Sequence, residues 1–268
     1  MKVKVFINID KKDIKIKESI EKKLIDNNIV IDNDNPDLVL YLGGDGTFLR
    51  AVNAHFDQLD KVKFVGINYG NLGFFCEYQK DEVDAFIEDL KNNKFMVTEH
   101  KLLQADAVFE DKSEVLYAVN EVRIENPFRT MICDVLINNE PLESFHGNGL
   151  LVATSFGSSA FNKSLGGAIV MSDFECLQLT EIATIQNNFN RSLGSSLIVS
   201  NKEKITIKGN LKNTVIGYDY KTLSDGNLKE LTIYLSDKKV KMLHKQNYSP
   251  LVKLRRSFIK WLSMIFLK

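Results

Sequence analysis

The chain has 268 residues, 44% of them apolar, enough for one large domain or two ordinary ones with a sizeable core. Its 35 basic and 35 acidic residues cancel, leaving no global field to hold nucleic acid or to steer a charged polymer. Cys76, Cys133 and Cys176 stand far apart without a CxxC spacing, which argues against a zinc site or a disulfide framework and for buried thiols in a reducing compartment.

Met1 to Val5 leads directly into an alternating strand with no signal-peptide core, so the expected location is cytoplasmic. Val3, Val5, Ile7 and Ile9 start that strand, and Ile16, Ile20 and Leu24 mark a helix. Leu38 to Leu42 is an uninterrupted apolar run of the kind a buried parallel strand needs. Phe48, Leu49, Val52, Phe56 and Leu59 then recur at helical spacing. Between strand and helix lies Gly43-Gly44-Asp45-Gly46-Thr47. Residues without Cβ let a backbone approach phosphates there, and the free N–H groups of a helix start favour anions. A carboxylate repels phosphate, so Asp45 is better suited to orient or deprotonate a hydroxyl. The plainer alternative is a helix cap. Lys63 to Ile67 predicts another strand, running into Asn68 to Phe74, a second glycine-bearing loop, and Asp81 is a plausible cap for a helix burying Val83, Phe86, Ile87 and Leu90.

From about Leu102 the period changes to 2, with short strands around Leu116, Ile132 to Ile137, Ile205, Val215 and Leu231 to Leu235 and a turn at Asn138-Asn139. This predicts a sandwich of antiparallel sheets, interrupted by a helix between about Glu175 and Gln186. Asn120-Glu121 closes an apolar strand, Val115 to Val119. An amide beside a carboxylate binds vicinal sugar hydroxyls or a ligand amide, although strand ends often carry these residues. Gly157 to Gly167 has Walker A spacing as far as Lys163-Ser164, but Asn162 occupies a required glycine position; what remains is a small polar ligand loop or an ordinary turn. Gly147-Asn148-Gly149 starts a G-x-G pattern that Val152 ends, so it is no Rossmann fingerprint. Of four histidines only His146 adjoins a glycine-rich stretch, and none has metal-ligand spacing. After Ser249-Pro250, Leu251, Leu254, Phe258, Trp261 or Leu262, and Ile265 form an apolar helix face opposite Lys253, Arg256 and Lys260. A helix docked on the first domain or on a second subunit is favoured over one lying on a membrane.

In order and spacing, Gly43 to Thr47, Gly70 to Phe74, Asn120-Glu121, Gly147 to Leu150, Ser158 to Gly167, Glu181-Ile182-Ala183 and Asp219 closely resemble the bacterial NAD kinases over nearly the whole chain. The resemblance implies an α+β two-domain chain. An open, Rossmann-like α/β domain spans 1–98, joined by the tail 246–268, and a β-rich, sandwich-like NAD-binding domain spans 99–245. It implies phosphoryl transfer from ATP or polyphosphate to the adenosine-ribose 2′-hydroxyl of NAD. Magnesium or another divalent cation would be carried by the phosphates without direct protein ligands, and the chain would form a dimer or tetramer. Asp45 falls on the family's proton acceptor. Gly43, Gly44, Gly46 and Thr47 fall on the phosphate-donor turn. Gly46, Asn120, Glu121, His146, Asn148, Ser159, Ala160, Phe161, Asn162, Lys163, Ser164, Ala183 and Tyr220 fall on the NAD side, with Asn71, Phe74 and Asp219 as further pocket candidates. His146 and Asn148 replace the family's Arg and Asp, Ser159 and Phe161 its Thr and Tyr, and Tyr220 its usual His or Gln. These departures bear on NAD affinity more than on the chemistry. A lipid kinase of the diacylglycerol or sphingosine type shares the Gly43 to Thr47 turn, and a non-catalytic NAD(P)-binding regulator is the other alternative; neither involves nucleic acid.

Overall fold

The computed structural model describes residues 1–8, 11–70, 73–224 and 226–259, so Asn71 and, in the tail, Lys260, Trp261, Leu262 and Ile265 lie outside the described residues. The chain divides into two units, Met1–His100 with Lys239–Lys268, and Lys101–Lys238.

In the first unit Leu38–Leu42 lies between the parallel strands Lys2–Ile7 and Lys63–Asn68, and all five of its residues are buried. A strand covered on both faces has no solvent side, which is why its sequence is apolar throughout. Val30–Ile31 extends the sheet beyond Lys2–Ile7, and Tyr78–Gln79 pairs with the end of Lys63–Asn68. The strand order reverses between Lys2–Ile7 and Leu38–Leu42, so a ligand crevice is expected beyond their carboxyl ends. The helix Asp45–Ala54 leaves from that point and buries Phe48, Ala51 and Val52. The helix Val83–Lys91 buries Val83, Phe86, Ile87 and Leu90, as its spacing predicts, but it starts after Glu82 without a side-chain cap, not at Asp81. Lys241 and Met242 pair in parallel with Lys63 and Phe64, which groups 239–245 with this unit.

The second unit is a sandwich of antiparallel sheets. One sheet contains Glu140–Gly147, Met131–Ile137, Ile205–Lys212 and the start of Asn227–Lys245; the other runs Leu197–Ser200, Cys176–Ile182, Gly149–Thr154, Glu121–Glu125, Val215–Tyr218, Lys221–Leu223. Val135, Phe145, Ile207 and Ile233 of the first share a core with Val122, Leu150, Val152 and Leu177 of the second. Asn138 and Asn139 have φ of 50° and 68°, the left-handed pair that a two-residue hairpin needs.

Two further expectations are corrected. Residues 175–186 are not a helix: Cys176–Ile182 is a strand paired on both edges, because Cys176 to Thr180 are all buried and a run buried on both faces carries no clear period. Glu121 does not close the preceding strand, which ends at Ala118, but opens the next. The described part of the tail helix, Pro250–Phe258, meets the first unit through the Phe258 ring, 6.1 Å from that of Phe74, and through the Lys253 side chain; the apolar stripe beyond Phe258 lies outside the described residues. Leu251 is 63% exposed and Val252 50%, whereas the Lys253 side chain is only 12% exposed and meets Glu77 at 3.5 Å.

Gln178 shows how the corrected strand is held. Fully buried, it accepts a hydrogen bond from the Ala168 N–H at 2.7 Å and donates to the Ala168 carbonyl at 3.0 Å. Gln178→Leu removes both bonds; the Ala168 carbonyl keeps the Asn162 amide at 3.3 Å, so the loss falls on the Ala168 N–H, at about 1–3 kcal/mol for a group left unpaired. Urea denaturation is expected to show a lowered midpoint; an unchanged midpoint contradicts this role.

Candidate functional site

In the first unit the candidate residues gather at the end of Leu38–Leu42. Gly43 has φ of 147°, a region open to glycine, and the ideal position of a Cβ there runs into the Thr47 side chain. Asp45 does not cap its helix, since Gly44 is the N-cap residue and no side chain fills that role. Its carboxylate instead accepts the N–H groups of Phe74 at 3.0 Å and Phe75 at 2.9 Å. Two further bonds fix the same segment to the turn: Tyr41 donates its buried hydroxyl to the Phe75 carbonyl at 2.8 Å, and the Cys76 thiol donates to the Gly43 carbonyl at 2.9 Å. Burial pushes that thiol up to about 12, so it stays protonated as a donor. Each Asp45 oxygen keeps a lone pair, and the exposed Gly46 beside it has nothing within 4 Å of an ideal Cβ position. The result is a directed carboxylate next to an open helix start, suited to a hydroxyl on one side and phosphate on the other.

The second unit supplies a different pair. Asn120 and Glu121 are 6% and 4% exposed, and Asn120 Oδ1 and Glu121 Oε2 have no hydrogen-bond partner. A buried acceptor or carboxyl left unsatisfied is costly and needs an explanation, which a bound ligand supplies. Asp219, at φ of 50°, holds the segment by accepting the N–H groups of Val119 at 2.9 Å and Asn120 at 2.8 Å. Thr154 adds a donated bond to the Val119 carbonyl at 2.9 Å and accepts the Gly157 N–H at 2.8 Å. Gly157 lies so close to the Asn120 backbone that a Cβ would collide with it, so the structure does bring the small-residue loop and the Asn120-Glu121 pair together. Burial first, then the Asp219 carboxylate, pushes Glu121 up to about 8 against the pull of Arg123. Burial likewise raises Asp219 to about 6 against its backbone hydrogen bonds.

Around this pair the remaining candidates divide. Ser159 and Ala160 are half-buried, and Phe161, Lys163, Ser164 and Ala183 are exposed, as a ligand-facing rim requires. Tyr220 is 38% exposed. Asn162 is different: fully buried, it donates to the Ser158 carbonyl at 3.1 Å and accepts the Thr180 hydroxyl at 2.8 Å. It is a post inside the loop and has no surface to offer a ligand. Asn148 donates its amide to the Asn126 carbonyl at 3.0 Å. A carboxylate there has no N–H to give and would face that carbonyl oxygen, which accounts for an amide at this position. His146, half-buried, sits on the neighbouring strand. Thr47 is buried against its own turn, and Phe74 lies with its ring 5.6 Å from that of Phe75. Sequence reasoning missed Arg123, which bonds Glu125 at 2.8 Å, lies 3.9 Å from Glu121 and sits 5.0 Å over the Phe161 ring. Its alternation in the strand Glu121–Glu125 was a signal available to read.

Two family models match the chain. The ATP-NAD kinase N-terminal domain model matches residues 6–95, and the ATP-NAD kinase C-terminal domain model matches residues 119–245. The NAD kinase of Pediococcus pentosaceus is 37% identical over 264 residues, covering 97% of this chain and 98% of its own. The chain belongs to the NAD kinase family. The NAD kinase of Leuconostoc citreum is 33% identical over 260 residues, with the same coverage of both chains. In fold the chain is similar to yeast NADH kinase complexed with NADH, with a TM-score of 0.84 at 18% identity over 100% of this chain and 90% of that one. It is also similar to an NAD kinase from Archaeoglobus fulgidus in complex with ATP, with a TM-score of 0.71 at 20% identity over 96% and 97%. Membership in the NAD kinase family sets aside the lipid-kinase alternative.

The raised Glu121 carboxyl has a signed consequence for stability. Its folded value, about 8, lies above its ordinary 4.5, so the folded chain binds more protons across that interval. The contribution is complete below 4.5 and is lost as pH rises towards 8. Glu121→Gln removes this titration. Its thermal midpoint is expected to fall less than that of the unaltered chain between about pH 5 and pH 8; equal slopes would contradict the burial argument.

Proposed function

We propose that the protein transfers the terminal phosphoryl group of ATP to the 2′-hydroxyl of the adenosine ribose of NAD, giving NADP and ADP. The observation that carries this reading is the Asp45 carboxylate, held by two backbone amides at an open helix start in a chain of this family. Asp45 accepts the hydroxyl proton as the ribose oxygen forms its bond to phosphorus and the anhydride bond to the departing ADP breaks. Such transfers pass through a loose transition state in most analyses, so alignment and charge neutralisation matter more than base strength. Asp45 does not have to be a strong base; it has to point.

Asn120 and Glu121 bind the dinucleotide through its hydroxyl or amide groups, with Ser159, Ala160, Phe161, Lys163, Ser164, Ala183, His146 and Tyr220 around it. At neutral pH the raised Glu121 carboxyl is largely protonated and donates a hydrogen bond. Asp219 and Asn162 act behind these residues by fixing their backbone. Among the described residues no cluster of three or more His, Cys, Asp or Glu side chains stands ready for a metal. On the family resemblance, magnesium would be borne by the donor's phosphates and would neutralise their charge. Polyphosphate as an alternative donor and assembly as a dimer or tetramer rest on the family resemblance alone, and action in the cytoplasm on the signal-free N-terminus and the unpaired cysteines.

Loss of the general base is expected to lower kcat by about 10²–10⁴-fold. Asp45→Asn keeps the side chain's size and one acceptor, so KM for NAD should change little. Steady-state NADP formation by the two proteins tests the assignment. Near-normal kcat in the variant would reject it.

A further inference from the structure

The first unit holds a cavity of about 200 Å³ beneath the tail helix, and none of the residues assigned above accounts for its charge. Three cations line it, Lys245, Lys253 and Arg256, with the hydroxyls of Ser249 and Ser257 and a single carboxylate, Glu77. That carboxylate is already committed: it accepts the His244 Nδ1–H at 3.0 Å and the Lys245 N–H at 3.3 Å, and lies 3.5 Å from the Lys253 ammonium. The Lys245 ammonium is held by Glu82 at 2.8 Å. The Arg256 guanidinium has no direct ion pair among the described residues, though, against the upward push of burial, its charge and that of Lys245 help hold the Glu82 carboxyl below its ordinary value. After these pairings the cavity keeps a positive surplus, carried by a planar guanidinium suited to bidentate contact with phosphate.

Its position adds a second argument. Gly73 forms part of the wall, and an ideal Cβ position on Gly73 lies 2.6 Å from Asp45 Oδ1. The next residue, Phe74, donates its N–H to the same carboxylate. The cavity therefore lies directly behind the segment that grips Asp45, within the same unit. Lys245, Lys253 and Arg256 face only two carboxylates, Glu77 and Glu82, so one positive charge is left over after the tail is held. That leftover charge suits an anion.

We infer that this cavity, with Arg256 and Lys253, receives the phosphates of the donor that are not transferred, leaving the terminal one at the Asp45–Thr47 helix start. The ligand chemistry is a linear phosphoanhydride chain, as in a nucleoside triphosphate or inorganic polyphosphate. The inference rests on the proposed reaction for its place in the mechanism, though the anion site itself does not.

The test uses the full chain and inorganic tripolyphosphate with magnesium, titrated calorimetrically, alongside ATP. Arg256 is exposed, so Arg256→Ala should leave the fold intact, whereas Lys253→Met removes a buried charge partner and serves as a second variant. Loss of a charge-assisted contact is expected to weaken tripolyphosphate binding about tenfold. KM for ATP should rise by a similar factor with KM for NAD unchanged, and Arg256→Lys should restore part of the loss. Unaltered tripolyphosphate binding in Arg256→Ala overturns the inference. So does loss of ATP binding with tripolyphosphate binding intact, since that places the nucleoside, not the phosphates, in the cavity. If tripolyphosphate binding depends on Arg256 but the unaltered chain forms no NADP, the anion site stands and the proposed reaction falls.

Discussion

Two backbone N–H groups, those of Phe74 and Phe75, determine what Asp45 is. Without them an aspartate at the first turn of a helix is an ordinary favourable charge on a dipole, free to rotate. With them its two oxygens are fixed in direction, and the loop that brings the amides is itself tied back by Tyr41 and Cys76. The strand Leu38–Leu42, buried on both faces, supplies the rigid base for this arrangement. A loose carboxylate would lose the alignment on which phosphoryl transfer depends.

The second unit uses the same device for a different purpose. Asp219 accepts two consecutive backbone N–H groups, Val119 and Asn120, much as Asp45 accepts Phe74 and Phe75. There the carboxylate is buried among its own chain's amides, and the segment it holds carries the unpartnered atoms Asn120 Oδ1 and Glu121 Oε2. In the proposed reaction the first carboxylate is the working group and the second the holder. Burial raises both Asp219 and Glu121, so this half of the site sits in a low-dielectric setting where polar contacts to a ligand gain strength.

Much of this was legible in the sequence, for identifiable reasons. A backbone that must adopt φ of 147° at Gly43 demands glycine, so the turn announces itself. The parallel and antiparallel halves differ in hydrophobic period, which marked the change of fold near Leu102. Other parts left no local trace. Main-chain donors such as Phe74 and Phe75 carry no side-chain signal, and Asp219 acts on residues 99 and 100 positions away. Cys176–Ile182 misled because a strand buried on both faces has no period to read. In the tail, the ion pair of Lys253 with Glu77 joins residues far apart in the chain and left no local trace.

The central claim is that Asp45 is aimed at one hydroxyl of the acceptor. Phosphorus and proton NMR of the product formed from NAD, ATP and magnesium measures which oxygen received the phosphoryl group. The account predicts a single new monophosphate ester on the 2′ position of the adenosine ribose. A phosphate on the 3′ position, on the other ribose or on a mixture of sites would contradict it.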